Sequence, residues 1–384
     1  MCSPSQTKLQ CYYIQGTAMT TIQSPAVENE RSEAPRINLG SVLLYSQKLW
    51  RNYTVRTILQ GIVTIWAVIT FIFFLVRLMP GNPVDVYIDY IINQENLSYT
   101  EAYARAASQF KFDVNASKIQ QYFEYMGNLL QGDLGESITS TGTQVIDQIW
   151  RYLPWTLFAV GMGLLISFVL GVLLGILMAY YRNSPLDVAL SLFSSIMSAV
   201  PNYIWGIAII LIFGVQLKWF SVGELRGTYS PHVTPGFNVD FILSVLEHAI
   251  LPVIVYMSGA LGTWMLTMRN STISVLGEDY VNVARARGLT QGRILTAYVG
   301  RNAALPMVTL LAINIGFIIG GSIIIEQLFV YNGLGNFLFR SISSRDYTSM
   351  QGVLLVIVIS VVMANLLADL LYSRLDPRVQ LGES

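Results

Sequence analysis

The sequence predicts an all-α, polytopic membrane protein with six transmembrane helices and a helical segment inserted after the first of them. Three observations carry that prediction. Of 384 residues, 53% are hydrophobic and only 12% charged, with a mean hydropathy of +0.51, whereas a soluble domain carries roughly 25% charged residues. Six segments are apolar over the roughly 20 residues that a bilayer core about 30 Å thick demands of a helix. Each is too long for a barrel strand, and isolated strands in lipid leave their backbone groups unpaired.

The elements follow in chain order. Residues 1–40 are polar, lack the apolar stretch of a signal peptide, and read as a disordered tail. Residues 41–56 form an interfacial helix, with Leu43, Leu44 and Trp50 interleaved with Lys48 and Arg51. The first span, 57–79, contains the charge-free run Thr57–Val76. An insertion, 80–150, separates it from the membrane core, 151–378, which holds the other five spans. These spans are centred on Leu153–Tyr181, Val188–Leu217, Ala249–Met268, Ala303–Ile325 and Gly352–Tyr372. Residues 379–384 close the chain.

Within the insertion, Ser98-Tyr-Thr-Glu101 has the form of a capping box that opens a helix running to about Phe110. Ile119–Leu130 places Ile119, Tyr122, Phe123, Tyr125, Met126, Leu129 and Leu130 largely on one helical face. A small helical cap is expected there. Orientation follows from the basic residues. Arg182, Arg269, Arg285, Arg287, Arg293, Arg301, Arg374 and Arg378 fall on the side shared by both termini. The insertion carries three basic residues against nine acidic ones. Both termini are therefore expected in the cytoplasm and the insertion outside.

Composition also excludes. The formal net charge is zero, so no basic field points to nucleic acid. Cys2 and Cys11 lie in the tail, and His232 and His248 are the only histidines, so neither a thiol nucleophile nor a His/Cys metal site is expected in the spans. No catalytic or metal-binding residue is assigned. The chain has no GxxxxGK[ST] loop and cannot be expected to hydrolyse ATP itself. An intramembrane enzyme lacks a visible base, and a passive channel leaves the loop between spans four and five without a purpose.

That loop, 269–303, and the first residues of the next span hold Glu278–Pro306, EDYVNVARARGLTQGRILTAYVGRNAALP. Glu278 and Asp279 favour the positive end of a helix, Ala284 and Ala286 are small helix formers, and Gly288 stops the helix. A second helix, about Gln291–Arg301, leads to Pro306, which is tolerated early in a span. The small-residue face suits close approach by another protein, and the arginines supply charged contacts.

This stretch resembles the EAA loop of ABC-importer permeases, in particular the dipeptide/oligopeptide branch. Tyr280, Ala284, Arg285, Ala286, Gly288, Leu289, Arg301, Asn302, Leu305 and Pro306 carry the match. Asn282 stands where sugar-type permeases have an acid, and Tyr298 stands where a His is expected. The resemblance extends over about Arg51–Val379 through LVRLMPGNPVD (75–85), GDLGES (132–137), RYLPWTL (151–157), SAVPNYIWG (198–206), EQLFVYNGLGNFLFRSISSRDY (326–347) and NLLADLLYSRLDPRV (365–379).

The resemblance implies a permease subunit of an ATP-binding-cassette importer, with EAA-type coupling helices, in the cell (inner) membrane. Its partners would be a second homologous permease, two nucleotide-binding ATPase subunits that hold ATP and Mg, an extracytoplasmic binding protein, and lipid. Glu278, Tyr280, Ala284, Arg285, Ala286, Gly288 and Leu289 would couple the spans to an ATPase. Peptides are the first substrate class implied, and oligosaccharides the alternative, with nickel chelates and glutathione behind them. Ser194, Ser198, Pro201, Asn202, Asn314 and Glu326 are pathway candidates. Serines at helical spacing serve helix packing equally well, and Glu326 and Asp369 near span ends fit structural roles as well as functional ones.

Overall fold

The computed structural model describes residues 53–78, 88–89, 91–93, 97–109, 117–140, 142–221, 223–321 and 323–375. The tail 1–40, nearly all of the 41–56 helix, the PGNPVD part of the first motif and the end 379–384 lie outside the described residues, as do the side chains of Asp369 and Arg374. Among the described residues no strand forms; one isolated antiparallel bridge joins Glu136 and Gln144.

Helix α1 (Tyr53–Leu78) is the first span. The insertion supplies α2 (Tyr99–Gln109) and α3 (Lys118–Leu130). The capping box forms as expected: Ser98 N–H and Oγ donate to Glu101 Oε2 at 3.1 and 2.7 Å, and Glu101 N–H returns to Ser98 Oγ at 3.4 Å. These bonds hold the Glu101 carboxyl below its usual range.

The face of α3 differs from the expected one. Gln121 is buried and takes the Arg77 Nε–H bond at 2.9 Å, while Tyr122 and Tyr125 pack on Phe73 of α1. Ile119, Phe123 and Leu130 are exposed. A polar anchor and two aromatic rings set the rotation of this helix, which apolar periodicity alone misplaces by roughly one residue position.

Two long helices form the centre. Helix α4 (Val145–Tyr180) starts eight residues before the expected span, and α7 (Val239–Leu276) overruns its expected span at both ends. They make the most extensive helix contact among the described residues. The reason is a stripe at four-residue spacing on α4: Gly163, Ser167, Gly171 and Gly175 are buried. A Cβ at Gly163 would lie 2.6 Å from Tyr256 Cβ, and one at Gly175 2.6 Å from Met268 Cβ. Small residues let the two backbones approach closely, which drives helix association in lipid.

The third span is broken. Helices α5 (Pro185–Ala199) and α6 (Asn202–Gln216) meet at 99° across Val200–Pro201. A proline disfavours helical geometry in the residue before it, and Val200 is extended at ψ 123. The last seven residues of α6, Ile210–Gln216, are a π-helix.

Helix α8 (Asp279–Ala286) and helix α9 (Gln291–Ala303) fill the loop between spans four and five. The fifth span continues as α10 (Leu305–Phe317), bent 45° from α9. It stops short of the expected Ile325, because Gly321 takes φ +55 and a separate α11 (Ile323–Leu328) follows. Helix α12 (Leu334–Ser343) precedes the final span, α13 (Tyr347–Leu375). Among the described residues, four continuous helices are long and apolar enough to cross a membrane, and counting each of the two bent pairs as one span brings the number to six.

Candidate functional site

Two regions gather the residues singled out in the sequence. The first is the loop. Glu278 is the N-cap of α8 with Asp279 in its first turn. At the other end Gly288 N–H bonds Arg285 O at 2.9 Å, and Leu289 N–H bonds Ala284 O at 3.3 Å. That is a Schellman closure, and Gly288 has the left-handed φ of +76 that it requires.

Helix α8 is two-faced. Val281 and Ala284 are buried against Trp264, Met268, Ile294 and Val299 of the same chain, and Leu289 packs beside them. Ala284 therefore serves the chain's own core rather than an outward small-residue face. Glu278, Tyr280, Arg285, Ala286 and Gly288 are exposed, as is Val283 at 57%. Val283 was not legible as a surface residue, since helical spacing does not reveal which side a short helix buries. Asn302 straps the pair: its Nδ2 donates to Tyr280 Oη and to Tyr298 O, each at 2.9 Å.

The second region is a cavity of about 330 Å³ between α4, the α5–α6 break, α7 and α10. Ser198, Pro201, Asn202 and Asn314, four of the six pathway candidates, line it together with Tyr256 and Gly259. They meet because the chain turns at Pro201; in a continuous helix, Ser198 and Asn202 would share one face without enclosing space. Close packing holds the corner: a Cβ at Gly259 would lie 2.9 Å from Asn202 Cβ.

The other two candidates lie elsewhere. Ser194 is buried in the helix interface, donating to Leu190 O at 2.7 Å and facing Met265 Sδ at 3.4 Å. Glu326 is also fully buried, behind Gly321. Its Oε1 accepts from Thr156 Oγ1 at 2.8 Å and its Oε2 from Asn336 N–H at 2.8 Å, while Leu334 N–H donates to Thr156 Oγ1 at 2.7 Å. The carboxylate thus caps the N-terminus of α12 and ties it to α4, where a negative charge is favoured.

Two further acids emerge only from the fold. Asp346, buried, accepts from Ser137 Oγ, from Ile138 N–H at 3.2 Å, from Thr139 Oγ1 at 3.1 Å, and from Ser349 N–H and Oγ at 3.0 and 2.9 Å. It fastens the GDLGES segment to the start of α13 across more than 200 residues of sequence. Asp187 receives Arg269 Nε–H at 2.7 Å and Nη2–H at 2.8 Å, a bidentate pair joining α5 to α7.

Broken spans around a polar cavity, together with a helical loop that leaves one face uncovered, define a membrane transport component. The chain belongs to the family described as binding-protein-dependent transport system inner membrane component, which matches residues 171–381. It is 30% identical over 331 residues to an oligopeptide transport system permease protein of Bacillus subtilis, spanning 85% of this chain and 99% of that one. A di/tripeptide transport system permease protein of Pseudomonas aeruginosa is 32% identical over 327 residues, 83% of this chain and 95% of its own. A glutathione transport system permease protein of Pectobacterium atrosepticum is 29% identical over 332 residues, 86% and 99%. The chain is accordingly a non-catalytic membrane subunit of a transport system.

Proposed function

We propose that this chain is one of two permease subunits of a peptide importer, and that α8 is its coupling helix to an ATPase subunit. The observation that carries the reading is the two-faced geometry of α8. One side is locked into the chain's own core through Val281 and Ala284, and the other presents Tyr280, Val283, Arg285 and Ala286 outward. A lever needs both: a rigid attachment to the spans and an exposed contact face.

The loop faces the cytoplasm, with both termini on the same side as the basic residues. Partner ATPase subunits hold ATP and Mg. Their closure around nucleotide pushes α8, and the push passes through α9 and its bond to Tyr280 into α10 and α7. Substrate arrives from an extracytoplasmic binding protein at the acidic outer segment. The two permeases open outward with ATP bound and inward after hydrolysis. Ser198, Pro201, Asn202 and Asn314 line the route, whereas Ser194 and Glu326 hold its walls.

Peptides are favoured over oligosaccharides because the similar proteins that cover nearly the whole chain carry peptide and glutathione names. Deleting Glu278–Gly288 tests the coupling assignment. Peptide-stimulated ATP hydrolysis by the reconstituted transporter is expected to be abolished while the chain still inserts in the membrane. Undiminished uptake by the deletion variant would refute it. Uptake of radiolabelled peptide against a labelled oligosaccharide tests the cargo.

A further inference from the structure

Among the described residues, the lining of the cavity at the α5–α6 break is polar but carries no charged side chain. Two carboxamides, Asn202 and Asn314, stand on it with the Ser198 hydroxyl and Tyr256. Asn314 Nδ2 donates one of its two hydrogens to Leu310 O at 2.8 Å, so the side chain keeps a second N–H donor and its Oδ1 acceptor. The nearest acid, Glu326, is held behind Gly321 by Thr156 and the α12 N-terminus. Irregular backbone at membrane depth persists where it lines a cavity, and here the C-terminal end of α5 and the N-terminal end of α6 both reach it. Those ends carry partial charges of opposite sign. A volume of about 330 Å³ lies at the small end of ligand sites.

Such a lining favours a solute that is neutral but strongly dipolar, with both donors and acceptors. A full charge there would lose water without gaining a counter-ion. We propose that this cavity is a subsite for the uncharged backbone amides of the transported peptide, not for its termini or charged side chains. The inference rests on the peptide-importer reading above. It makes the permease indifferent to peptide sequence, leaving side-chain selection to other components. Asn202 and Asn314 are then specificity-determining residues, because they set the neutrality of the passage.

The test uses the complete transporter in proteoliposomes, with its binding protein saturated by each peptide so that binding-protein preference drops out. Uptake of trialanine, Ala-Lys-Ala and Ala-Glu-Ala is compared for wild type, Asn202→Asp and Asn314→Asp. A carboxylate a few ångströms from the passing side chain attracts Lys and repels Glu, so the Lys-to-Glu uptake ratio is expected to rise about tenfold or more. Trialanine and its analogue N-methylated at the central amide are compared in wild type and Asn314→Leu. Wild type is expected to prefer trialanine severalfold, and the Leu variant to lose that preference. This second comparison decides the matter if the Asp variants fail to assemble. An unchanged Lys-to-Glu ratio in active Asp variants, or a methylation preference that survives in Asn314→Leu, overturns the subsite while the importer reading stands. Wild type that takes up no trialanine at all overturns both.

Discussion

Gly288 separates two reasons for a glycine, backbone strain and close contact with a partner, because they rank its replacements in opposite order. Its φ of +76 is left-handed, and among the described residues nothing lies within 4 Å of where a Cβ would stand. Within this chain the only cost of a side chain is therefore conformational, about 1–2 kcal/mol for an ordinary L-residue, or roughly 5–30-fold in the population of the closed turn. Asn tolerates this region better than Ala, so strain alone ranks Gly288→Asn above Gly288→Ala. If α8 seats in a groove of an ATPase subunit, bulk at Gly288 matters more than strain, and the ranking reverses. The assay is peptide-stimulated ATP hydrolysis of the reconstituted transporter, alongside the thermal midpoint of the isolated permease. The docking proposal expects the midpoint to follow strain, with Ala the lower, while coupling follows size, with Asn the lower. Coupling that is intact in Gly288→Asn and impaired in Gly288→Ala would refute contact at this turn and leave only a local structural role.

Three further outcomes are expected. Asp346→Ala orphans several buried donors and should lower stability by about 3 kcal/mol or more, seen as rapid proteolysis within 132–144, and Asp346→Asn should retain part of that stability. Gly171→Leu drives a side chain into Trp264 on the facing helix, costing more than the ~1–3 kcal/mol of ordinary overpacking; Gly161→Ala, with open space around it, should be neutral or stabilise by up to ~1 kcal/mol. Both are read by thermal unfolding in detergent, and equal effects at the two positions would remove the stripe argument. Arg269→Lys gives up the bidentate contact with Asp187; because Arg269 is 22% exposed, the expected loss is about 1 kcal/mol and shrinks with added salt.

The class of protein was legible because it depends on quantities that a linear sequence carries. Apolar run length fixes how many helices a bilayer accepts. The Ser98–Glu101 box and the Gly288 stop are local hydrogen-bonding arrangements, and both formed where the residues indicated. Family resemblance through the loop motif reached the transport system itself. Tertiary structure decided what depends on three dimensions. The rotation of α3 turned on Gln121 meeting Arg77, a contact across 44 residues. Ala284 went inward because α8 is too short for spacing to say which side is covered. Pro201 stood among the pathway candidates within one span, and only the 99° turn there, packed against α7 and α10, formed the cavity that joins Asn202 to Asn314. Glu326 and Asp346 became capping and fastening groups because distant donors converge on them. Length, polarity and turn chemistry are written along the chain; which polar groups end up sharing one space is settled by how the helices pack.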